Sequence, residues 1–223
     1  MKLRSAILTG SAVIMLLSPA CKSMNKTQKG VVIGAAGGAV VGGVIGKATG
    51  NTALGTILGA AIGGTVGGII GKKMDKQAED IKKEVPGAKV ERVGEGIVVE
   101  FNNKILFGFD RSDLSDAAKI NLDNLVTVLN KYPDTNIEIQ GHTDDTGTEA
   151  YNQTLSEKRA AVVSTHLKNK KVAASRINTK GFGETSPKYA NDNEENRSLN
   201  RRVDFLITAN EKMIADAKKE AGQ

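Results

Sequence analysis

Residues 141–160 read Gly-His-Thr-Asp-Asp-Thr-Gly-Thr-Glu-Ala-Tyr-Asn-Gln-Thr-Leu-Ser-Glu-Lys-Arg-Ala, which puts an acid, Asp144, after a strand and a base, Arg159, at the start of a helix. Such a pair suits a small zwitterion. A group with an ammonium and a carboxylate on one carbon needs an anionic acceptor and a cationic fork close together, and arginine is the side chain that grips a carboxylate bidentately. On spacing alone, an intramolecular ion pair between the two is an equal alternative.

The elements that must hold these groups can be read on either side. Lys89–Val93 alternates, Gly94-Glu95-Gly96 turns, and 97–101 is apolar, which together form a hairpin that opens a sheet. Ser115 caps a helix whose apolar face is Ala118, Leu122, Leu125 and Leu129, stopped by Tyr132-Pro133. Ile137 and Ile139 alternate with Glu138 and Gln140 in a strand that delivers Gly141 to Asp144 to its end. A second helix starts near Thr148, restarts at Ser156, and buries Ala160, Val163 and Leu167. With Ser156 as cap, Arg159 falls in a first turn, where free amides and the positive dipole end favour an anion. Strands at 176–182 and 202–207 complete an α/β fold with helices on one face of a mixed sheet.

Four ordered motifs carry a family resemblance. Gly141-His142-Thr143-Asp144, with Gly147, Tyr151-Asn152, Leu155-Ser156 and Arg159-Ala160, resembles the signature of the OmpA-like peptidoglycan-binding domain. OmpA C-terminal domains, peptidoglycan-associated lipoproteins and flagellar stator proteins share it. Phe109-Asp110-Arg111-Ser112 resembles the family's Phe-Asp segment, Gly181-Phe182-Gly183-Glu184 with Pro187 its Gly-x-Gly-Glu-x-x-Pro turn, and Asn200-Arg201-Arg202-Val203 its Asn-Arg-Arg-Val strand. The departure near the site is a second acid, Asp145.

The resemblance implies an OmpA-like mixed β-sheet and a ligand, the side-chain end of diaminopimelate in a peptidoglycan stem peptide. Its ammonium belongs on Asp144 and its carboxylate on Arg159; Asp110 assists with the ammonium, and Thr143, Asn152 and the Phe109 backbone line the pocket. Asn200 and Arg201 are further candidates, a basic pair that alternatively serves only nearby acids. No catalytic residue and no cofactor is implied.

The front of the chain addresses a membrane. Residues 1–20 have a basic start (Lys2, Arg4), an apolar run and small residues before Cys21, which reads as a secretory signal. Cys21 is the only cysteine, so no intramolecular disulfide forms. Leu17-Ser18-Pro19-Ala20-Cys21 resembles a lipobox, with Ser18 where an aliphatic residue is usual and Leu17 one place further back. The alternatives are an ordinary cleaved signal and an uncleaved anchor. Two or three acyl chains, palmitate among them, would fix the protein to a membrane, since each buried methylene contributes roughly 0.8 kcal/mol. Lys22 after the cysteine favours the outer membrane, which leaves the C-terminal domain in the periplasm. Net charge is +6, but Lys2 and Arg4 leave with the signal, and with aromatics at 4% no basic stripe with interleaved rings exists to read nucleic acid.

Glycines then fall every fourth residue twice over, at 30, 34, 38, 42 and 46 and at 55, 59, 63, 67 and 71, an internal repeat with a period of about 25 residues. Spacing of four lies along one helical face, so each leg offers a groove to another backbone and the two can zip into a hairpin or a homo-oligomer. Each leg is about 17 residues, roughly 25 Å as helix, at the short end for a membrane span. A soluble low-complexity linker is the alternative. The expected organisation is a signal (1–20), a lipidated tether (21–29), a glycine-zipper hairpin (30–73), a helical spacer (74–88), an OmpA-like domain (89–210) and a charged tail (211–223).

Two rivals are kept. His142, Asp144 and Asp145 could hold a metal for a hydrolase, but no further ligand sits at a spacing that closes a site and no nucleophile has an oriented base, so the chain reads as no enzyme. A pore or assembly protein, with the glycine hairpin as its active element, is the other. The reading carried forward is an outer-membrane lipoprotein that binds peptidoglycan noncovalently.

Overall fold

The computed structural model describes residues 64–107 and 112–223. The signal, Cys21, the first glycine leg, most of the second, and Phe109, Asp110 and Arg111 lie outside the described residues. The elements are α1 (Gly64–Glu84), β1 (Lys89–Val93), β2 (Gly96–Asn102), α2 (Asn103–Leu106), α3 (Asp116–Lys131), β3 (Thr135–Gly141), α4 (Glu149–Asn169), β4 (Ile177–Gly181), α5 (Glu194–Asn200), β5 (Arg202–Ala209) and α6 (Glu211–Glu220).

The sheet runs β1-β2-β5-β3-β4, with only the β3–β4 pair parallel. The expected hairpin is β1–β2, turned by Gly94 at φ 56°, a left-handed conformation that glycine adopts without a Cβ clash. Register sorts the two faces. Val99, Phe205 and Ile139 stand opposite one another on β2, β5 and β3 and belong to the apolar core with the buried faces of the helices. One step along, Glu100, Asp204 and Gln140 form the corresponding row on the other face, because successive strand residues point to opposite sides. Ser115 caps α3 as expected, its hydroxyl accepting from the Ala118 amide at 3.0 Å, and Ala118, Leu122, Leu125 and Leu129 are buried.

The helical connector is no spacer. α1 begins at Gly64, inside the second glycine leg, and buries Val66, Ile70, Met74, Gln77, Ala78 and Ile81 against the domain. These positions recur at helical spacing along one face, offset by one residue from Gly67 and Gly71. Val66 and Ile70 of the second glycine leg therefore pack on protein, although the glycine period suggested a lipid-facing leg. Asp75 is held by Arg92 Nε at 2.8 Å, and Asp80 by Lys131 Nζ at 2.6 Å and the Tyr132 hydroxyl at 2.7 Å. The charged tail is likewise a helix: α6 buries Met213 and Ala217 in the same core and contacts α1. Sequence reading expected a helix at 74–88 but missed its packing on the domain, and missed the tail helix, because a high density of charge on the outer faces hid narrow apolar stripes. The described residues include no helix long and apolar enough to cross a membrane.

Gln77 is fully buried in this interface, and neither its amide nitrogen nor its oxygen has a hydrogen-bond partner. An unsatisfied buried polar group costs about 1–3 kcal/mol. Gln77→Leu is expected to raise the urea midpoint by the equivalent of about 1–2 kcal/mol without changing the slope. A midpoint at or below wild type would show that the amide is satisfied in solution.

Candidate functional site

Helix α4 carries half of the site, and it is continuous. Thr148 is its N-cap, accepting from the Tyr151 amide at 3.3 Å, and the helix runs unbroken to Asn169. The expected restart at Ser156 is corrected: that hydroxyl is buried, donates to the Gln153 carbonyl at 2.8 Å and accepts from the Gly183 amide at 2.9 Å. Arg159 is accordingly about three turns into α4, beyond the first turn where the helix dipole acts, so no dipole contributes to anion binding there. Its guanidinium carbon lies 5.4 Å from the centroid of the Phe107 ring, and the residue is buried. Asn152, Ser156, Arg159, Ala160 and Val163 share the buried face of the helix.

Glycines let this helix lie directly on the sheet. A Cβ at Gly141 would sit 2.2 Å from the Ser156 carbonyl oxygen, and one at Gly181 would sit 2.6 Å from the Ser156 hydroxyl. Gly183, at φ 50°, supplies the amide that Ser156 accepts and the carbonyl that receives the Thr143 amide at 2.9 Å. The loop after β3 is thus sewn to the loop after β4, and both to α4.

Asp144 emerges from that seam nearly buried, with 5% of its surface exposed. One carboxylate oxygen accepts from the Thr146 amide at 3.0 Å, and the other takes a close ion pair with Arg201 Nη1. The second guanidinium nitrogen of Arg201 reaches Glu194 at 2.5 Å. Partial burial works against the Arg201 charge, but Glu194 and Asp144 outweigh it and hold its pKa above the ordinary arginine value. Arg201 also depresses the Glu194 carboxyl. Asp144 is thus in an ion pair with Arg201, whereas spacing alone had offered Arg159 as the partner. Thr143 donates its hydroxyl to the Asp144 carbonyl at 2.9 Å. The Asn152 amide nitrogen is within reach of the carbonyls of Asp144 and Thr146 at 3.3 and 3.1 Å and of Glu184 at 2.6 Å.

Asn200 is fully buried and braces the loop beside the site. Its oxygen accepts from the Lys188 and Tyr189 amides at 2.9 and 3.0 Å, and its nitrogen donates to the Tyr189 carbonyl at 2.8 Å. Asp144, Thr143, Asn152 and Arg201 are therefore brought together, Arg159 stands further along the Asn152 helix, and Asn200 lies behind them. Glu184 and Glu194 were missed as participants. Glu184 belongs to the Gly-x-Gly-Glu turn and could have been suspected, whereas nothing in the sequence marks Glu194.

A buried polar layer backs the site. Arg202 Nε contacts Asp204 at 3.1 Å, Lys188 contacts Glu100 at 2.5 Å, and the His142 ring stacks on Phe182 with centroids 5.2 Å apart. His142 Nε2 is 3.5 Å from Asp204. Burial, reinforced by Arg202 and Lys188, holds His142 well below its ordinary pKa of 6.5, while burial pushes Asp204 up against the pull of Arg202. His142 is thus neutral and enclosed, and among the described residues no group of three His, Cys, Asp or Glu is placed to hold a metal. Since the unfolded chain binds a proton that the folded chain refuses, stability falls below pH 6.5 by up to about 1.4 kcal/mol per pH unit from this group. His142→Phe preserves the stack and is expected to flatten the urea midpoint between pH 6.5 and about 5. A profile parallel to wild type would assign the acid loss elsewhere.

This seam of glycines, helix and acid lies inside the first of two family models that match the chain. The OmpA family matches residues 106–201, and the YMGG-like Gly-zipper family matches residues 1–75. The 106–201 segment is an OmpA family domain. Among relatives, outer membrane porin F of Pseudomonas aeruginosa is 39% identical over 52% of this chain and 33% of its own length. Probable lipoprotein YiaD of Escherichia coli is 34% identical over 55% of this chain and 56% of its own. Peptidoglycan-binding protein ArfA of Mycobacterium bovis is 37% identical over 46% of this chain and 32% of its own. The chain thus spans from a third to just over half the length of these relatives. The cell wall anchor of the T6SS of Pseudomonas aeruginosa superposes with a TM-score of 0.53 at 28% identity, covering 61% of this chain and 96% of that one. The OmpA domain match begins at Leu106, so α1, β1 and all of β2 lie before it, although β2 is inseparable from its sheet.

Proposed function

We propose that this chain is an outer-membrane lipoprotein, acylated at Cys21, whose periplasmic OmpA domain binds peptidoglycan noncovalently through diaminopimelate and so ties the envelope to the wall. The observation that carries this reading is Asp144: a nearly buried carboxylate fixed at the end of a central strand, already paired with a guanidinium, beside the helix that bears Arg159. A charge held this way suits recognition of an opposite charge, and among the described residues beside it none resembles a nucleophile with a base. The relatives' names agree, one a lipoprotein, one an outer-membrane porin, one a peptidoglycan-binding protein. The binding group is the ammonium of the diaminopimelate terminus on Asp144 and its carboxylate on Arg159, with Thr143 and Asn152 as the frame and Asp110 and Phe109 as further contacts. No cofactor or metal is needed. An acyl anchor adds strength by holding the domain near a polymer with many copies of the ligand. The full-length chain is expected to co-sediment with diaminopimelate-type sacculi and to remain in solution with lysine-type sacculi. Equal retention by both would reject the ligand, and retention by neither would reject the function.

A further inference from the structure

Both carboxylate oxygens of Asp144 are engaged in the resting protein. One oxygen holds the Thr146 amide and the other holds Arg201, whose remaining Nη is on Glu194. With 7% of the Asp144 side chain exposed against 67% for Glu194, Arg201 bridges a hidden anion and an open one. Its backbone is fixed independently of this bridge, since its amide bonds the Arg197 carbonyl at 3.1 Å and its carbonyl accepts from the Asn103 amide at 2.8 Å. Only the side chain is therefore at liberty to move, and it has an anion to move towards.

We propose that Arg201 is a resident counter-cation that a ligand ammonium displaces from Asp144, that Glu194 receives the displaced guanidinium, and that this exchange selects termini bearing a carboxylate beside the ammonium. The inference rests on the reading of Asp144 as the ammonium site. Counting pairs gives the selection. An amine without a carboxylate makes one charged contact with Asp144 and breaks one, so the exchange is close to neutral. A zwitterion makes the same contact and offers its carboxylate, held by Arg159, a second cationic partner in the guanidinium nitrogen just released. Arg201 thus sharpens the demand for both charges that Asp144 and Arg159 set, and Glu194 keeps the released guanidinium beside the ligand while its other contact, Arg197 at 3.3 Å, steadies it.

Two probes separate the possibilities: meso-diaminopimelate, and N-acetyl-lysinamide, which has an ammonium and no carboxylate. Both are titrated into the full-length chain in detergent, following the nuclear magnetic resonance signals of the Thr146 amide and the Arg201 side chain. In the wild type the amine is expected to bind at least about tenfold more weakly than diaminopimelate, the worth of one charged hydrogen bond. Arg201→Gln uncovers Asp144, so the amine gains about tenfold and the ratio between the probes shrinks, down to the preference that Arg159 alone supplies. Glu194→Gln leaves the guanidinium on Asp144 and weakens both probes about threefold, a loss in the range of an exposed ion pair. If diaminopimelate binds the wild type and is lost in Asp144→Ala, but Arg201→Gln and Glu194→Gln leave both affinities and their ratio unchanged, the exchange is overturned and the site stands. If the wild type ignores diaminopimelate, or Asp144→Ala binds it equally, both inferences fall together.

Discussion

Gly141→Ala is expected to destabilise the domain by about 3 kcal/mol or more, whereas Gly71→Ala, the same change in α1, is expected to stabilise it by about 0.5–1 kcal/mol. The opposite signs come from what each new methyl group meets. At Gly141 it would overlap the Ser156 carbonyl oxygen at 2.2 Å and the carbonyl carbon at 2.9 Å, and these are helix backbone atoms that cannot rotate aside. Relief requires α4 to lift from β3, which also strains the bond from the Gly183 amide to Ser156 and disturbs the neighbouring buried residues Ala160 and Val163. At Gly71 nothing lies within 4 Å, so alanine only removes unfolded-state freedom. Because a domain's whole stability is about 5–15 kcal/mol, the Gly141 change takes a large share of it. Urea unfolding of both variants decides the matter, and a Gly141→Ala midpoint within experimental error of wild type would mean that α4 does not rest on the strand end.

The same contact explains what could and could not be read from the sequence. Alternation at 89–93 and 97–101, the Ser115 cap and the apolar face of α3 are local signals, set by neighbours within a few residues, and each appears where expected. Ser156 misled because a serine that opens a helix and one that lets a strand approach a helix look alike in one dimension. Only the position of Gly141, Gly181 and Gly183 across the fold distinguishes them. The charge network was illegible for a similar reason. Arg201 meets Asp144 across 57 positions, and the choice between Arg159 and Arg201 as its partner depends on β5 entering the sheet between β2 and β3. The glycine period hid the packing of α1 by a different route, since the repeat of four that suggested a hairpin runs one residue out of step with the Val66, Ile70 and Met74 stripe.

Asp144→Ala and Arg159→Ala are each expected to weaken sacculus binding by about tenfold to a hundredfold, because each removes a partner of a charged group and such hydrogen bonds contribute roughly 1.5–3 kcal/mol. Arg159→Lys should recover little, since an ammonium cannot form the planar fork and leaves the Phe107 ring without its stacked guanidinium. The fold should survive in Asp144→Ala, where the loop keeps the Thr143-to-Gly183 and Asn152-to-Thr146 bonds. Circular dichroism and the urea midpoint check that before binding is compared. The double variant is the more telling measurement. If one zwitterionic terminus spans both residues, losing either charge contact loosens the other, and the double variant binds scarcely more weakly than the worse single one, a coupling of at least about 0.5 kcal/mol. Strict additivity would mean that Asp144 and Arg159 grip different parts of the wall, and retention within about twofold by both single variants would remove them from the site altogether.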